Sequence, residues 1–341
     1  MEDRILDHYL EEFAAGIDID PVETETLFGA LIGSTNQTLI AEVLTGWNEK
    51  GITEDELFEF ASLMRSRMHR INSPHKTFVD LVGTGGSSSK SFNVSTAAAF
   101  VIAGSGVPVA KHGNRSATSR SGSADVLSKL GLVIDADIAS AQRHLEQNSL
   151  CFMFSPLFHS LSPTLAMARR SIGLPTIFNN LGPLCNPASA PHHVIGVWSD
   201  EVLEKTANVL LRLGAERSWV VHGEGGLDEI ALGGKTLVAE IDKGKVTFSM
   251  IAAAEFEVFT FGKDLPAHCS AEKSAKIIRE VLDNKHVDRD TERLVLINAA
   301  AAIYVAGAAA SLPEAYKKAE ESLRSGAAMG KLRALTGALV K

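Results

Sequence analysis

Cysteine is scarce in this 341-residue chain: Cys151, Cys185 and Cys269 stand far apart, and none belongs to a paired metal-binding motif. Such thiols exclude a disulfide scaffold and make a reducing cytosol the expected setting. Excess positive charge is also missing. A formal net charge of −8 argues against a broad nucleic-acid footprint, so a polyanionic ligand must be held by a local basic island. No apolar run approaches the ~20 residues of a membrane span; the Ala-rich stretch from Ile297 to Ala310 is shorter and reads as a buried helix. The amino-terminal Met1-Glu-Asp-Arg-Ile is acidic and lacks the order of a secretory signal, which again leads to a cytoplasmic expectation. Internal repeats and low-complexity segments are absent too.

What is present is an ordinary globular composition, 45% apolar and 22% charged, in a chain long enough for two domains or one large α/β unit. Residues 1–70 read as helical throughout. Leu39, Ile40, Val43, Leu44 and Trp47 recur at helical spacing, and Thr53 with Glu56 forms a capping-box pair ahead of the next apolar series. This predicts a small helical bundle with a packed core, whose large side chains could also serve a subunit interface. Proline and small polar residues in Ile71-Asn-Ser-Pro-His75 then mark a linker.

Beyond the linker strands and helices alternate. The pattern predicts strands at 78–82, 107–110, 150–154, 193–198 and 217–222, helices at 94–105, 121–130, 137–148 and 200–213, and a hairpin over 235–250. Helices at 271–284 and 289–308 follow, then one capped by Ser311. Alternation of this kind implies an α/β fold with a mostly parallel central sheet and helices on both faces. Residues 159–192 break the alternation and read as a helix and loop returning to the helical domain. The expected partition is therefore 1–74 with a return segment at about 165–192 for the helical domain, and 75–164 with 193–341 for the α/β domain.

The stretch from Asp80 to Leu130 is rich in anion-binding groups. A short apolar run ends in Gly83-Thr-Gly-Gly86, where backbone amides and the start of the next helix can hold phosphate oxygens. Alone this is a weak signal: the Rossmann spacing fails and no Walker sequence appears. Its weight comes from Asn93, Ser95, Thr96, Lys111, His112, Asn114, Arg115, Ser119 and Arg120 clustered near the ends of adjacent elements. Further on, Gly225-Gly-Leu-Asp-Glu229 offers two hard oxygen donors in an irregular loop, which suits magnesium shared with a phosphate. Arg169, following an apolar turn, could clamp a carboxylate through two hydrogen bonds. No His-x-x-x-His or cysteine pairing supports zinc.

Taken together, Gly83-Thr-Gly-Gly, Phe92-Asn-Val-Ser-Thr96, Lys111-His-Gly-Asn-Arg115, Ser121-Gly-Ser-Ala-Asp125, Phe178-Asn-Asn-Leu-Gly-Pro-Leu184, Asn186-Pro187 and Gly226-Leu-Asp-Glu229 resemble the anthranilate phosphoribosyltransferases over nearly the whole chain. The resemblance implies a fold shared with pyrimidine nucleoside phosphorylases, usually homodimeric through the helical part. It also implies transfer of phosphoribose from phosphoribosyl pyrophosphate (PRPP) to the amine of anthranilate, on the route to tryptophan, using Mg2+. By the same resemblance Gly83, Thr84, Gly85, Gly86, Asn93, Ser95, Thr96, Lys111 and Ser119 would hold PRPP. Ser95, Asp228 and Glu229 would hold the metal, and Gly83, His112, Asn114, Arg169 and Gly182 would line the acceptor's path. Lys111, His112 and Arg169 are the expected catalytic residues, with no strong general base demanded.

Two departures stand out. Ser87 occupies the place of the family's usual aspartate, and Met167-Ala-Arg169 replaces its usual Pro-Val-Arg. Arg169 itself is kept, which favours a carboxylated acceptor: anthranilate, or a related aromatic amine or acid. A phosphorylase is disfavoured by Asp228-Glu229 and the Lys111 cluster. A non-catalytic nucleic-acid binder is disfavoured by the net negative charge.

Overall fold

The computed structural model describes residues 1–85, 91–116, 121–259, 265–285 and 288–337. Its helical start comprises α1 (Glu2–Ala14), α2 (Thr24–Gly33), α3 (Gln37–Lys50) and α4 (Glu54–Arg67). The expected capping box closes α4. Thr53 Oγ1 accepts from the Glu56 amide at 3.2 Å, and the Glu56 carboxylate accepts from the Thr53 amide at 2.9 Å. That buried carboxylate also takes hydrogen bonds from Ile19 N and Trp47 Nε1, each 3.0 Å, and from Lys50 Nζ at 2.9 Å. Trp47 stacks on Phe13 and meets Phe60 edge-on, with centroids 5.4 and 4.8 Å apart.

Strands β1 (Val79–Gly83), β2 (Val109–Gly113), β3 (Leu150–Phe154), β4 (His192–Gly196) and β5 (Arg217–Gly223) pair in parallel, and β6 (Lys235–Asp242) with β7 (Lys245–Ala252) forms the predicted hairpin. The seven-stranded order is β3-β2-β1-β4-β5-β6-β7. Two strands lie later than their apolar runs: β1 by one residue, at Val79 rather than 78, and β2 by two, at Val109 rather than 107. Pro108 has no amide to give the ladder and contributes only its carbonyl, to Val79 N.

Between and after the strands come α5 (Val94–Gly104), α6 (Ser123–Leu130), α7 (Ile138–Asn148), α8 (Ser155–Phe158), α9 (Pro163–Ile172), α10 (Ile177–Leu184), α11 (Asp200–Arg212), α12 (Ala271–Leu282), α13 (Arg289–Val305), α14 (Leu312–Arg324) and α15 (Ala327–Thr336). Helix α13 ends short of residue 308 because the chain turns at Gly307, whose φ is 71°. Helix α15 carries no start signal in the sequence beyond Gly326, which separates it from α14 at φ 77°.

Two large apolar cores sandwich the sheet. On one face Ala-rich α5 and α13 pack with α6, α12, α14 and α15. On the other, α11 and the first four helices share a core with Ile195, Val220 and Ala239 of the strands. Helix α9 lies against α2 and α3, and α10 against α4, α11 and β2. Residues 163–184 thus join the first four helices in space.

The sheet has one irregular line. Ladders β1–β4 and β2–β3 each run through five residue pairs, whereas β1 meets β2 only at Val79↔Val109. Past that pair the two strands stay side by side without further ladder pairing. Chain direction also reverses nearby, since β1 leads through α5 to one side and β4 through α11 to the other. Open α/β sheets bind ligands at the strand ends beside such a reversal.

Candidate active site

A cavity of about 190 Å³ opens over the carboxyl ends of β1 and β2, and Gly83, Lys111, His112, Arg169, Asp228 and Glu229 all face it. Its floor depends on absent side chains. A Cβ on Gly196 would stand 1.7 Å from the Asp228 carbonyl oxygen, so only glycine lets the Asp228-Glu229 loop settle on the end of β4. From there Asp228 Oδ2 accepts from Gly85 N at 3.1 Å, and Gly85 turns at φ 73°. Glu229 Oε1 accepts from Ser91 Oγ at 3.0 Å. The expected irregular backbone around these two carboxylates is present, with Gly225 and Gly226 at positive φ, and the acidic loop is tied to Gly85 and to Ser91.

Adjacent residues on a strand point to opposite sides, and at the end of β2 this divides the cavity. Lys111 is buried and turns toward α5, where Nζ donates to Leu81 O and, at 3.3 Å, to Ser95 Oγ. His112 turns toward α10 and meets Gly182 O through Nδ1 at 3.1 Å. The carbonyl can only accept, so Nδ1 carries the proton and Nε2 keeps a free lone pair. That Nε2 is buried without a hydrogen-bond partner. Burial, with His159 next to it, holds the imidazole well below its ordinary pKa. The His159 ring stands edge-on at 5.0 Å, its own pKa brought down by burial to about 4.

Arg169, in the last turn of α9, completes this half. Its guanidinium lies over the Phe178 ring at 5.2 Å, and its buried Nε has no hydrogen-bond partner. Burial lowers its pKa to about 10, so it stays charged at neutral pH. A planar donor beside an aromatic wall and a neutral imidazole suits a flat ring bearing a carboxylate.

On the lysine side Asn93 is fixed by Ser121, whose single hydroxyl proton lies between Asn93 Oδ1, 2.9 Å from Oγ, and Cys269 O, 3.1 Å away. Asp125 gathers the neighbouring loop, accepting from Ser116 N at 3.1 Å and Gly122 N at 2.9 Å. Thr84, Gly85, Asn93, Ser95, Asn114 and Gly182 line the cavity as expected. Thr96 stands behind the lining, buried, its hydroxyl without a partner. Gly86 and Ser119, like Ser87, lie outside the described residues.

Residue patterns left one cavity group open and one unassigned. In the sequence His159, like His112, can be read as a metal ligand, an acid-base group or a satisfied polar residue; Asn179, inside the Phe-Asn-Asn motif, donates through Nδ2 to Thr84 O at 3.1 Å and so joins α10 to the glycine turn. Among the described residues no three or more His, Cys, Asp or Glu side chains gather as a metal cluster. Two carboxylates with a hydroxyl suit magnesium, which keeps waters and shares phosphate oxygens.

Comparison with known proteins agrees with this arrangement. The family described as "Glycosyl transferase family, a/b domain" matches residues 75–329. A protein of Pelotomaculum thermopropionicum named anthranilate phosphoribosyltransferase is 43% identical over 303 residues, 89% of this chain and 87% of its own length. The crystal structure of the Thermus thermophilus anthranilate phosphoribosyltransferase superposes with a TM-score of 0.86 at 34% identity, covering 96% of this chain and 98% of that one. The Saccharomyces cerevisiae enzyme, in complex with PRPP and Mg, gives a TM-score of 0.86 at 25% identity, covering 98% of each chain. With a two-sided cavity at the strand ends and likeness over nearly its whole length, the chain belongs to the anthranilate phosphoribosyltransferase family.

Proposed function

We propose that this protein transfers phosphoribose from PRPP to the amine of anthranilate, releasing pyrophosphate, as a step of tryptophan biosynthesis. The observation that carries the reading is the division of one cavity by β2, with a buried ammonium on one side and a neutral imidazole and guanidinium on the other. Donor and acceptor then meet across the strand end.

On the donor side Gly83, Thr84, Gly85, Asn93 and Ser95 would cradle the phosphates, with Gly86, Thr96 and Ser119 completing the set. Lys111 meets the charge that grows on the leaving pyrophosphate, where a fixed cation is most effective. Asp228, Glu229 and Ser95 would hold magnesium, which when bound neutralises phosphate oxygens. On the acceptor side Arg169 takes the carboxylate, and Gly83, Asn114 and Gly182 border the ring. An aryl amine is unprotonated at neutral pH, so His112 Nε2 has only to accept a hydrogen bond from the amine and orient its lone pair toward the ribose carbon. Most of the rate then comes from positioning and charge.

The expected partition into a helical unit, 1–74 with about 165–192, and an α/β unit belongs to the same reading. So does a homodimer through the helical unit; sedimentation equilibrium that gives only monomer would remove it. A cytoplasmic setting agrees with three buried, free cysteines. No helix among the described residues is long and apolar enough to cross a membrane.

The direct test follows loss of anthranilate fluorescence with purified protein, PRPP and magnesium. Loss that requires all three components is the expected result. Persistent fluorescence alongside calorimetric binding of PRPP would transfer the reading to another aromatic acceptor.

A further inference from the structure

Helix α13 runs apolar from Leu294 to Ile303 with one interruption, Asn298, and every residue of that run is buried. An apolar side chain there would continue the helix's own pattern, and a buried amide is destabilising unless its polar atoms are matched. In Asn298 they are. Oδ1 accepts from Ile230 N at 2.9 Å, and Nδ2 donates to Ile230 O at 3.1 Å and to Leu294 O at 2.9 Å. One side chain thus takes both backbone groups of Ile230, as a neighbouring strand would. The next residue is held from β6, where the wholly buried Thr236 accepts through Oγ1 from Ala231 N at 3.0 Å. Before the acidic pair, Gly223 and Leu227 exchange backbone hydrogen bonds of 2.9 and 3.1 Å. Asp228 and Glu229 are the two residues left between these anchors.

We propose that Asn298 is a positioning residue for the magnesium site: from α13 it fixes the backbone directly after Glu229, and so holds the Asp228-Glu229 pair in place before the cation arrives. This rests on the reading of that pair as the metal site. Two neighbouring carboxylates repel each other, and magnesium accepts little departure from octahedral geometry. A loop left to settle by itself would spread them. Without the Asn298 amide, Ile230 N and O would be buried and unmatched, and the chain after Glu229 would shift toward other partners. Arg169, His112 and Gly182 reach the cavity from α9, β2 and α10, elements that carry none of Asn298's hydrogen-bond partners. The acceptor half therefore keeps its shape.

The test compares wild type with Asn298→Leu, which keeps the branching without the hydrogen bonds, the smaller Asn298→Ser, and Ile303→Ala, which opens a cavity further along the same helix. After thermal melts identify which variants fold, each is titrated calorimetrically with inorganic pyrophosphate at a series of magnesium concentrations, and initial rates are measured against each substrate. Both Asn298 variants are expected to need about tenfold more magnesium for half-maximal pyrophosphate affinity, the scale of a partner lost from behind metal ligands. KM for anthranilate stays within about twofold, the span of an undisturbed site. Ile303→Ala also melts lower, but its magnesium requirement stays within about twofold of wild type, which separates aim from stability. Should neither Asn298 variant fold, Thr236→Val releases Ala231 N in the same loop and should raise the magnesium requirement by about fivefold, the scale of one hydrogen bond. An unmoved magnesium requirement, equal losses toward magnesium and acceptor, or as large a shift in Ile303→Ala would each overturn the proposal. Wild-type protein whose pyrophosphate binding ignores magnesium would remove the metal reading and this proposal together. Wild type that binds pyrophosphate with magnesium but transfers nothing to anthranilate would fault only the proposed reaction, with the titrations still deciding on Asn298.

Discussion

At the scale of single residues, the acceptor half gives the sharpest expectation. Arg169 has a buried Nε in need of a partner and stays charged at neutral pH. Arg169→Ala should therefore raise KM for anthranilate by about thirtyfold, the equivalent of roughly 2 kcal/mol for a charge-assisted contact, and leave KM for PRPP nearly unchanged. Initial-rate measurements varying each substrate in turn decide it; equal effects on both would remove Arg169 from the carboxylate. Residues of this kind differ in how far the sequence exposes them. Lys111, Asp228 and Glu229 announce themselves through neighbours, because glycine, hydroxyl and amide groups crowd the same short stretches. Asp80 does not: it sits inside the predicted strand 78–82 with no visible role, and only the structure shows that it accepts from His112 N and Asn186 Nδ2. His159 can be singled out in the sequence but not given a role, since its partner lies 47 positions away and meets it only through the ring contact.

At the scale of elements, the strands are legible because short apolar runs end in glycine, and the helices because caps and periodicity agree. The register of β2 is less so, since apolar Val107 gives no hint that Pro108 keeps it out of the ladder. The α3–α4 corner shows how much one predicted cap can support. Glu56 was expected to close a capping box, and the fold makes the same carboxylate the acceptor for Ile19 N, Trp47 Nε1 and Lys50 Nζ. Glu56→Ala would strand these donors and leave the buried Lys50 ammonium with only the exposed Asp18 as its partner. A loss of about 3 kcal/mol of folding stability is expected, measured as a lower urea midpoint with an unchanged slope. At temperatures where the variant stays folded kcat should hold, because the corner is remote from the cavity. A stability loss under 1 kcal/mol, about the worth of an exposed ion pair, would contradict this account.

For the whole molecule, buried ionisable groups set the response to acid. Burial holds His112, His159 and His193 neutral, His159 down to about 4, His193 to about 3 and His112 well below its ordinary value. In the unfolded chain each would take a proton near pH 6.5, so below that value the unfolded state binds more protons and stability falls with pH. Asp80 opposes them: its folded pKa, raised to about 6, lets the folded state take a proton first and gain stability as pH falls from about 6 toward 4. Three groups against one leave a net of two protons. Folding stability should thus drop by roughly 3 kcal/mol per pH unit between about pH 6 and 5. Calorimetric melts at pH 7, 6 and 5 would show a steep fall in midpoint, and a flat profile would mean that these histidines are protonated in the fold.

The unladdered line between β1 and β2 carries a last consequence. A sheet laddered throughout would be the more regular object, with Leu81 O and His112 N satisfied by backbone. It would have no use for an ammonium there, yet Lys111 is one of the groups that face the cavity. Improvement of the sheet and improvement of the enzyme pull in opposite directions along this one line. A substitution that raises melting temperature by making residue 111 an ordinary strand residue would be a gain in durability bought with the loss of chemistry.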